Sequence, residues 1–251
     1  MNTSAVCVNQ QHSTKRGSLK VTKPNVVAKD QWLEQRKSLL NKEKALTRLR
    51  DEINKERQQL PWVLVENEYI FKGTNANHTL SELFGNHSQL IVQHFMFGSD
   101  WAEGCTSCSF WADNYNGTEK HLAARDIAFA TISNAPLDRL QAYAERLGWS
   151  FPWYSAEGTS FGLDFNVTFD DSAKQKNQID YNYKTQNWYT EELPGVSVFA
   201  RDEAGKIYHT YSTYSRGLDS LNGAYHYIDL TPRGRNEDNG MSWLRRNDDY
   251  G

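Results

Sequence analysis

The sequence predicts an α/β fold in which a mixed sheet is flanked by helices, and three observations carry that reading. Strand-like and helix-like apolar runs alternate between residues 90 and 147, and two more strand-like runs near residues 195–211 are joined by a short Gly-containing turn. A Cys-x-x-Cys pair falls between the first of those strand-like runs and the helix-like run after it. Alternation of this kind favours parallel strands with helices on the sheet faces. The short turn favours an antiparallel hairpin closing the same sheet.

Each element has its own signal. Leu90-Ile91-Val92-Gln93-His94-Phe95-Met96-Phe97 has the β-branched and aromatic density of a buried strand, and Gly98 is placed to break it. A helix is expected from Ser109 to about Arg125. Residues 127–132 then read as a second buried strand. Residues 136–147 read as an amphipathic helix with Leu137, Leu140, Tyr143, Ala144 and Leu147 on one face, stopped by Gly148. Upstream, residues 62–65 and 69–72 predict two short strands, and Thr79 with Glu82 predicts a capping box opening a short helix through about Phe84. Downstream, residues 195–200 and 206–211 form the predicted hairpin. Residues 225–230 predict a strand, and residues 241–246 a short terminal helix. The span 151–192 mixes aromatics with Gly, Asp, Asn, Lys and Gln without a sustained period, and is expected to be an irregular insertion outside the core.

Ahead of these elements, residues 30–59 are heavily charged, with Trp32, Leu39, Leu46, Ile53 and Leu60 spaced seven apart. This predicts one long amphipathic helix ended by Pro61. The companion positions of a coiled-coil seam are mostly polar, so the helix is expected to pack on the protein's own body rather than form a zipper. Residues 1–28 are polar and lack the apolar core of a signal peptide, which predicts a disordered tail. The organisation expected is therefore a tail over 1–28, a long helix over 29–60 and one domain over 61–251 carrying the insertion.

Composition narrows the function. The chain has 251 residues with 28 basic and 31 acidic side chains, which gives no footprint for nucleic acid or an anionic membrane. Its three cysteines are too few for a disulfide framework, and no apolar run nears the roughly 20 residues that cross a bilayer. A soluble cytoplasmic protein with a small-molecule or protein partner is expected.

Cys105-Thr106-Ser107-Cys108 carries the chemistry. If Cys105 stands at a helix N-terminus, the unpaired N–H groups and the positive dipole end favour its thiolate. Cys108, at i+3, lies on the same face and can resolve a mixed disulfide formed by the first thiol. The competing reading is metal binding: Cys105-x2-Cys108-x12-His121 supplies three ligands of a zinc-finger spacing, with His94 as another candidate, but positions 125–127 hold Arg, Asp and Ile where the last histidine belongs. No metal or organic cofactor is therefore expected for the leading reading. A third reading is a non-catalytic scaffold that binds partners through the long helix.

Trp101-Ala102-Glu103-Gly104-Cys105-Thr106-Ser107-Cys108 resembles the W-A-x-x-C-x-x-C of thioredoxins, and Leu193-Pro194-Gly195-Val196 resembles the proline-led strand opening their terminal hairpin. The stretches His94-Phe95-Met96-Phe97, Cys108-Ser109-Phe110-Trp111-Ala112-Asp113, His121-Leu122-Ala123-Ala124-Arg125-Asp126 and Tyr225-His226-Tyr227-Ile228-Asp229-Leu230-Thr231-Pro232 are similar to domain-of-unknown-function family 899, predicted dithiol-disulfide oxidoreductases. The resemblance covers about residues 30–250 and implies a thioredoxin-like fold. It also implies that Cys105 attacks, that Cys108 resolves, and that Pro194 is a cis-proline facing the dithiol. An ordinary trans proline before a strand is the alternative at that position. Where thioredoxins carry a buried acid six residues ahead of the first cysteine, this chain has Ser99. Asp100, Glu103 and His94 are the candidates for proton transfer in its place. Trp101 is expected to be partly exposed as part of a substrate platform. A peroxidase variant of the same chemistry lacks a recognisable peroxide pocket here.

Overall fold

The computed structural model describes residues 24–237 and 240–251. The tail expected over residues 1–28, with Cys7, lies outside the described residues except for 24–28. The chain divides after Pro61 into two compact units. The first contains α1 (Lys29–Gln58), dominated by Leu, Glu, Lys and Arg, which lose little rotamer freedom in a helix. None of its residues is buried, and Trp32, Leu39, Leu46 and Ile53 stay exposed.

The second unit runs in chain order through β1 (Val63–Leu64), β2 (Ile70–Lys72), β3 (Asn77–Thr79), α2 (Leu80–Leu83), β4 (Gln89–His94), α3 (Thr106–Tyr115), α4 (Glu119–Ala123), β5 (Ile127–Ser133), α5 (Leu137–Leu147) and β6 (Trp153–Ser155). It continues through α6 (Phe161–Asp164), α7 (Asp171–Lys176), β7 (Ile179–Tyr181), β8 (Lys184–Gln186), β9 (Gly195–Arg201), β10 (Ile207–Tyr214) and α8 (Gly223–Asp229). Eight strands form one sheet in the order β1-β10-β9-β4-β5-β6-β2-β3. β4 and β5 are parallel, and β9 pairs antiparallel with both β4 and β10. The central order β10-β9-β4-β5, with α3 and α5 on the crossovers, is the thioredoxin-like arrangement.

The period of two along β4 separates two cores. Leu90 and Val92 join Phe71, Leu80, Phe84, Phe161 and Phe199 on one face. Ile91 and Phe95 join Cys105, Cys108, Tyr115, Leu140 and Tyr143 of the helical layer on the other. The local signals hold where the chemistry is specific. Thr79 and Glu82 form the reciprocal capping box of α2, and Gly148 ends α5 in the left-handed conformation at φ 70°.

Four expectations are corrected. The helix expected to continue to about Arg125 splits into α3 and α4, because Gly117 adopts φ 89°, outside the helical range. Residues 225–230 form most of helix α8 rather than a strand: the Asn222 side chain caps it by accepting from the Tyr225 amide at 2.9 Å. Tyr225 and Ile228, three apart, both pack on the dithiol-side core, which is helical spacing. The terminal helix expected over 241–246 is a turn followed by irregular chain and a short 3-10 segment, Asn247–Asp249. Buried Leu244 and the hydrogen-bonded guanidinium of Arg246 fix this segment by tertiary contacts. The span 151–192 is not wholly an excursion. β6 pairs in parallel with β5, and Phe161 is fully buried with ring centroids 4.9 Å from Phe71 and 4.8 Å from Phe165.

That difference is measurable. Phe161→Ala should cost about 3–5 kcal/mol in urea denaturation, whereas Trp188→Ala, at a 43% exposed position of the same span, should cost below about 1 kcal/mol. Equal losses would return the whole span to a peripheral role.

Candidate functional site

The dithiol sits where β4 hands over to α3. Beyond His94 the chain continues to Met96, whose carbonyl accepts the Cys105 amide at 3.0 Å. Cys105 is the N-cap residue of α3, with extended ψ of 129°, and its carbonyl accepts the first helical bond from the Ser109 amide at 3.0 Å. Cys105 Sγ lies 3.0 Å from the Ser107 hydroxyl. Cys108 stands one turn further on. Neither is in a disulfide, and both are buried, at 6% and 4% exposure. The unpaired amides of the first turn and the positive helix end therefore converge where Cys105 begins the helix.

The loop ahead of Cys105 is clamped by side chains from other elements. The Gly104 carbonyl lies 3.3 Å from the Tyr143 hydroxyl and accepts Arg246 Nη2 at 3.1 Å, while Arg246 Nε donates to Tyr143 at 2.6 Å. Gly104 is required here, because a Cβ would come within 2.7 Å of the Phe95 ring. Arg139 Nη1 donates to the carbonyls of Ser99 and Trp101 at 3.0 and 2.7 Å. Trp101 is half-buried, and its indole N–H points to Glu191 Oε2 at 3.4 Å.

The strand β9 begins after Pro194, with Gly195 in register with His94 of β4. No cis peptide occurs among the described residues, so the Leu193–Pro194 bond is trans, which corrects the cis form implied by the resemblance. The lead-in is held by other means: the Leu193 amide donates to Val167 O at 2.9 Å, and the Tyr181 hydroxyl donates to Pro194 O at 2.7 Å. Burial pushes the Tyr181 phenol up, and the Cys108 thiol contributes in the same direction. Tyr181, carried by β7, thus lies within electrostatic reach of Cys108 while bonded to Pro194.

The three expected proton carriers are dispersed. His94 follows Leu90 and Val92 on the far face of the sheet, where Nε2 lies 2.8 Å from the Ser197 hydroxyl and the ring stacks on Phe165. Burial first, and then His209, pushes it down to about 3. It is a core histidine that does not face the dithiol. Glu103 is exposed and committed to Arg146 at 2.6 Å and Arg246 at 2.8 Å. Asp100 is exposed and lines a cleft of about 630 Å³. The metal reading loses its third ligand for the same reason: His121 is exposed on α4, and among the described residues no three His, Cys, Asp or Glu side chains converge.

The residue missed by sequence reasoning is Glu192. Its carboxyl is buried, accepts Asn134 Nδ2 at 2.8 Å, and is pushed up to about 7 chiefly by burial. The available signal was an acidic pair, Glu191-Glu192, directly ahead of Leu193-Pro194.

The depressed His94 has a consequence for stability. Its folded value lies below the unfolded value of 6.5, so the stability it contributes is complete above that pH and is lost as pH falls through about 3. The urea midpoint should decline on acidification from about pH 6.5, and His94→Gln should flatten that decline. Parallel pH profiles for the two proteins would contradict the assignment.

From residue 21 to 250 the sequence matches the model of a family described as bacterial protein of unknown function (DUF899). None of the curated proteins matches. Solved structures similar to this chain include peroxidoxin BcpB from Mycobacterium tuberculosis, at 16% identity and TM-score 0.41 over 67% of this chain and 96% of that one. PrxQ from Xylella fastidiosa is similar at 11% identity and TM-score 0.40, over 65% of this chain and 91% of that one. The mitochondrial 2-Cys peroxiredoxin from Plasmodium falciparum is similar at 14% identity and TM-score 0.39, over 65% and 92% respectively. Likeness at that level assigns no reaction. The family match spans nearly the entire chain, and the protein belongs to the DUF899 family.

Proposed function

We propose that the protein is a thiol–disulfide oxidoreductase in which Cys105 attacks and Cys108 resolves. The observation that carries the reading is the pair of buried thiols at the start of α3, with Cys105 as its N-cap and Cys108 one turn deeper. A thiolate at the first position is supported by the helix terminus.

The chemistry balances without an organic cofactor. The Cys105 thiolate attacks one sulfur of a substrate disulfide; the substrate S–S bond breaks, and the departing thiolate takes a proton. Cys108 then loses its proton and attacks Cys105 Sγ, which releases the second substrate thiol and leaves a Cys105–Cys108 disulfide. The substrate gains two electrons and the dithiol loses two. A second dithiol restores the enzyme by the reverse exchange. The same steps run in the opposite direction oxidise a substrate dithiol.

Access is the constraint. With Cys105 only 6% exposed, a substrate sulfur must enter a narrow opening. Trp101 and Pro194 are assigned to flank it, the first as an apolar platform and the second as an extended segment against which a thiol or peptide partner lies.

Limiting iodoacetamide at neutral pH should label Cys105 ahead of Cys108 and Cys7, read by mass mapping. Cys108→Ser should accumulate mixed disulfides through Cys105 on a non-reducing gel, while Cys105→Ser should not. Equal trapping by both variants, or by neither, would overturn the assignment.

A further inference from the structure

One guanidinium reaches the backbone on both sides of Cys105. Arg246 Nη2 donates to the Gly104 carbonyl at 3.1 Å, in the peptide that precedes Cys105. The other edge of that peptide is held as well, where the Cys105 amide donates to Met96 O at 3.0 Å. The carbonyl that follows, that of Cys105 itself, accepts the Ser109 hydroxyl at 3.0 Å. A carbonyl can only accept, so the single Ser109 proton is spent on that bond. The 3.0 Å contact between Ser109 Oγ and the Tyr143 hydroxyl is therefore donated by Tyr143, which in turn accepts Arg246 Nε at 2.6 Å. The donors run in one direction, from Arg246 through Tyr143 and Ser109 to the carbonyl of Cys105. Ser109 and Tyr143 are buried, and burial pushes the Tyr143 phenol up, so its proton stays in place across the neutral range.

We infer that Arg246 is a positioning residue of the dithiol, whose guanidinium holds both carbonyls that flank Cys105 and through them sets the reactivity of its thiol. The inference rests on the oxidoreductase reading only for its purpose; the grip on Cys105 is a property of the fold. Two effects act together. A backbone fixed on either side of Cys105 keeps it as the N-cap of α3, where unpaired amides support a thiolate. A hydrogen-bond chain that begins at a cation is polarised along its length, so the donor hydrogens it brings to the Cys105 backbone carry added positive charge. Only a forked side chain does both. Nε serves Tyr143, Nη2 serves Gly104 O and Glu103 at 2.8 Å, and Nη1 lies 3.6 Å from Asp249. A lysine would supply the charge without the fork.

The neighbouring charged and titratable groups have their own partners. Arg146 of α5 binds Glu103 at 2.6 Å and Asp248 at 2.6 Å, so Glu103 is divided between two guanidiniums. Arg139, also on α5, binds the carbonyls of Ser99 and Trp101, earlier in the loop. On α3, Asp113 accepts Trp149 Nε1 at 2.8 Å and Asn247 Nδ2 at 2.7 Å, and the Tyr115 hydroxyl accepts Thr131 Oγ1 at 3.3 Å. Tyr181 is bonded to Pro194 O ahead of β9. The segment carrying Arg246 is itself anchored, by buried Leu244 on one side and by Asn247 on Asp113 on the other. Arg246 is thus delivered to the start of α3 from 142 positions beyond Gly104.

The test is the pH profile of Cys105 alkylation by iodoacetamide in the full chain, resolved by site in mass spectra. In Arg246→Ala the midpoint should rise by about one pH unit, which slows labelling below the midpoint roughly tenfold. Ser109→Ala should raise it by about half as much in the wild-type background and by less when Arg246 is already Ala, because both act through one chain. Arg246→Lys should stay displaced from wild type. An unmoved midpoint in Arg246→Ala would overturn the inference, as would additive shifts in the double variant. A wild-type profile in Arg246→Lys would assign the effect to charge alone and overturn it too. Should Arg246→Ala fail to fold, Tyr143→Phe cuts the same chain without emptying the core and should raise the midpoint as Ser109→Ala does; an unmoved midpoint there would overturn the inference equally. A raised midpoint without mixed-disulfide trapping in Cys108→Ser would refute the oxidoreductase reading and leave the role of Arg246 standing, and trapping with an unmoved midpoint would do the reverse.

Discussion

The hydrogen bond from the Cys105 amide to the Met96 carbonyl is the contact on which the rest of the site depends. It ties the N-cap residue of α3 to the extension of β4, so that a helix N-terminus and a thiol are held together beyond the C-terminal end of a central strand. The loop between them is fixed by Arg139, Tyr143 and Arg246, each donating to or touching a main-chain carbonyl at residues 99–104. Loops of this kind carry function because a scaffold positions them, and here the scaffold acts on both ends of the loop.

The sheet also divides the molecule chemically. On one face lies an aromatic cluster with no titrating role, in which His94 is neutral and bonded to Ser197. On the other lie both thiols among Phe95, Phe97, Tyr115 and Tyr143. The N-terminus of α3 lies at Cys105, and Cys108 stands one turn further along, so the two thiols differ in their place on the helix rather than in exposure.

Much of this was legible in the sequence because it is encoded locally. The capping box at Thr79 and Glu82, the Gly148 stop and the hairpin around Gly205 depend on residues within a few positions of one another. Residues 225–230 fit either period because Tyr227 and Ile228 lie two and three positions after Tyr225, and the deciding feature, the Asn222 cap, precedes the run. The contribution of Phe161 to the core was hidden in a span whose periodicity is broken by short elements. At the site, the cysteines announced themselves by spacing. Glu192 did not, since its burial and its hydrogen bond come from Asn134, 58 positions away. His94 shows the converse: a plausible residue type near the motif in sequence, turned to the other face by the two-residue period of a strand.

The central claim is that Cys105 and Cys108 form one two-electron redox couple. Equilibration of the reduced protein across a series of glutathione redox buffers, followed by acid quenching and mass mapping, tests it directly. The account predicts a single reversible transition in which a Cys105–Cys108 disulfide forms without retained glutathione, fitted by a two-electron Nernst curve. Oxidation that stops at a stable glutathione adduct on Cys105, or that joins either cysteine to Cys7, would contradict it.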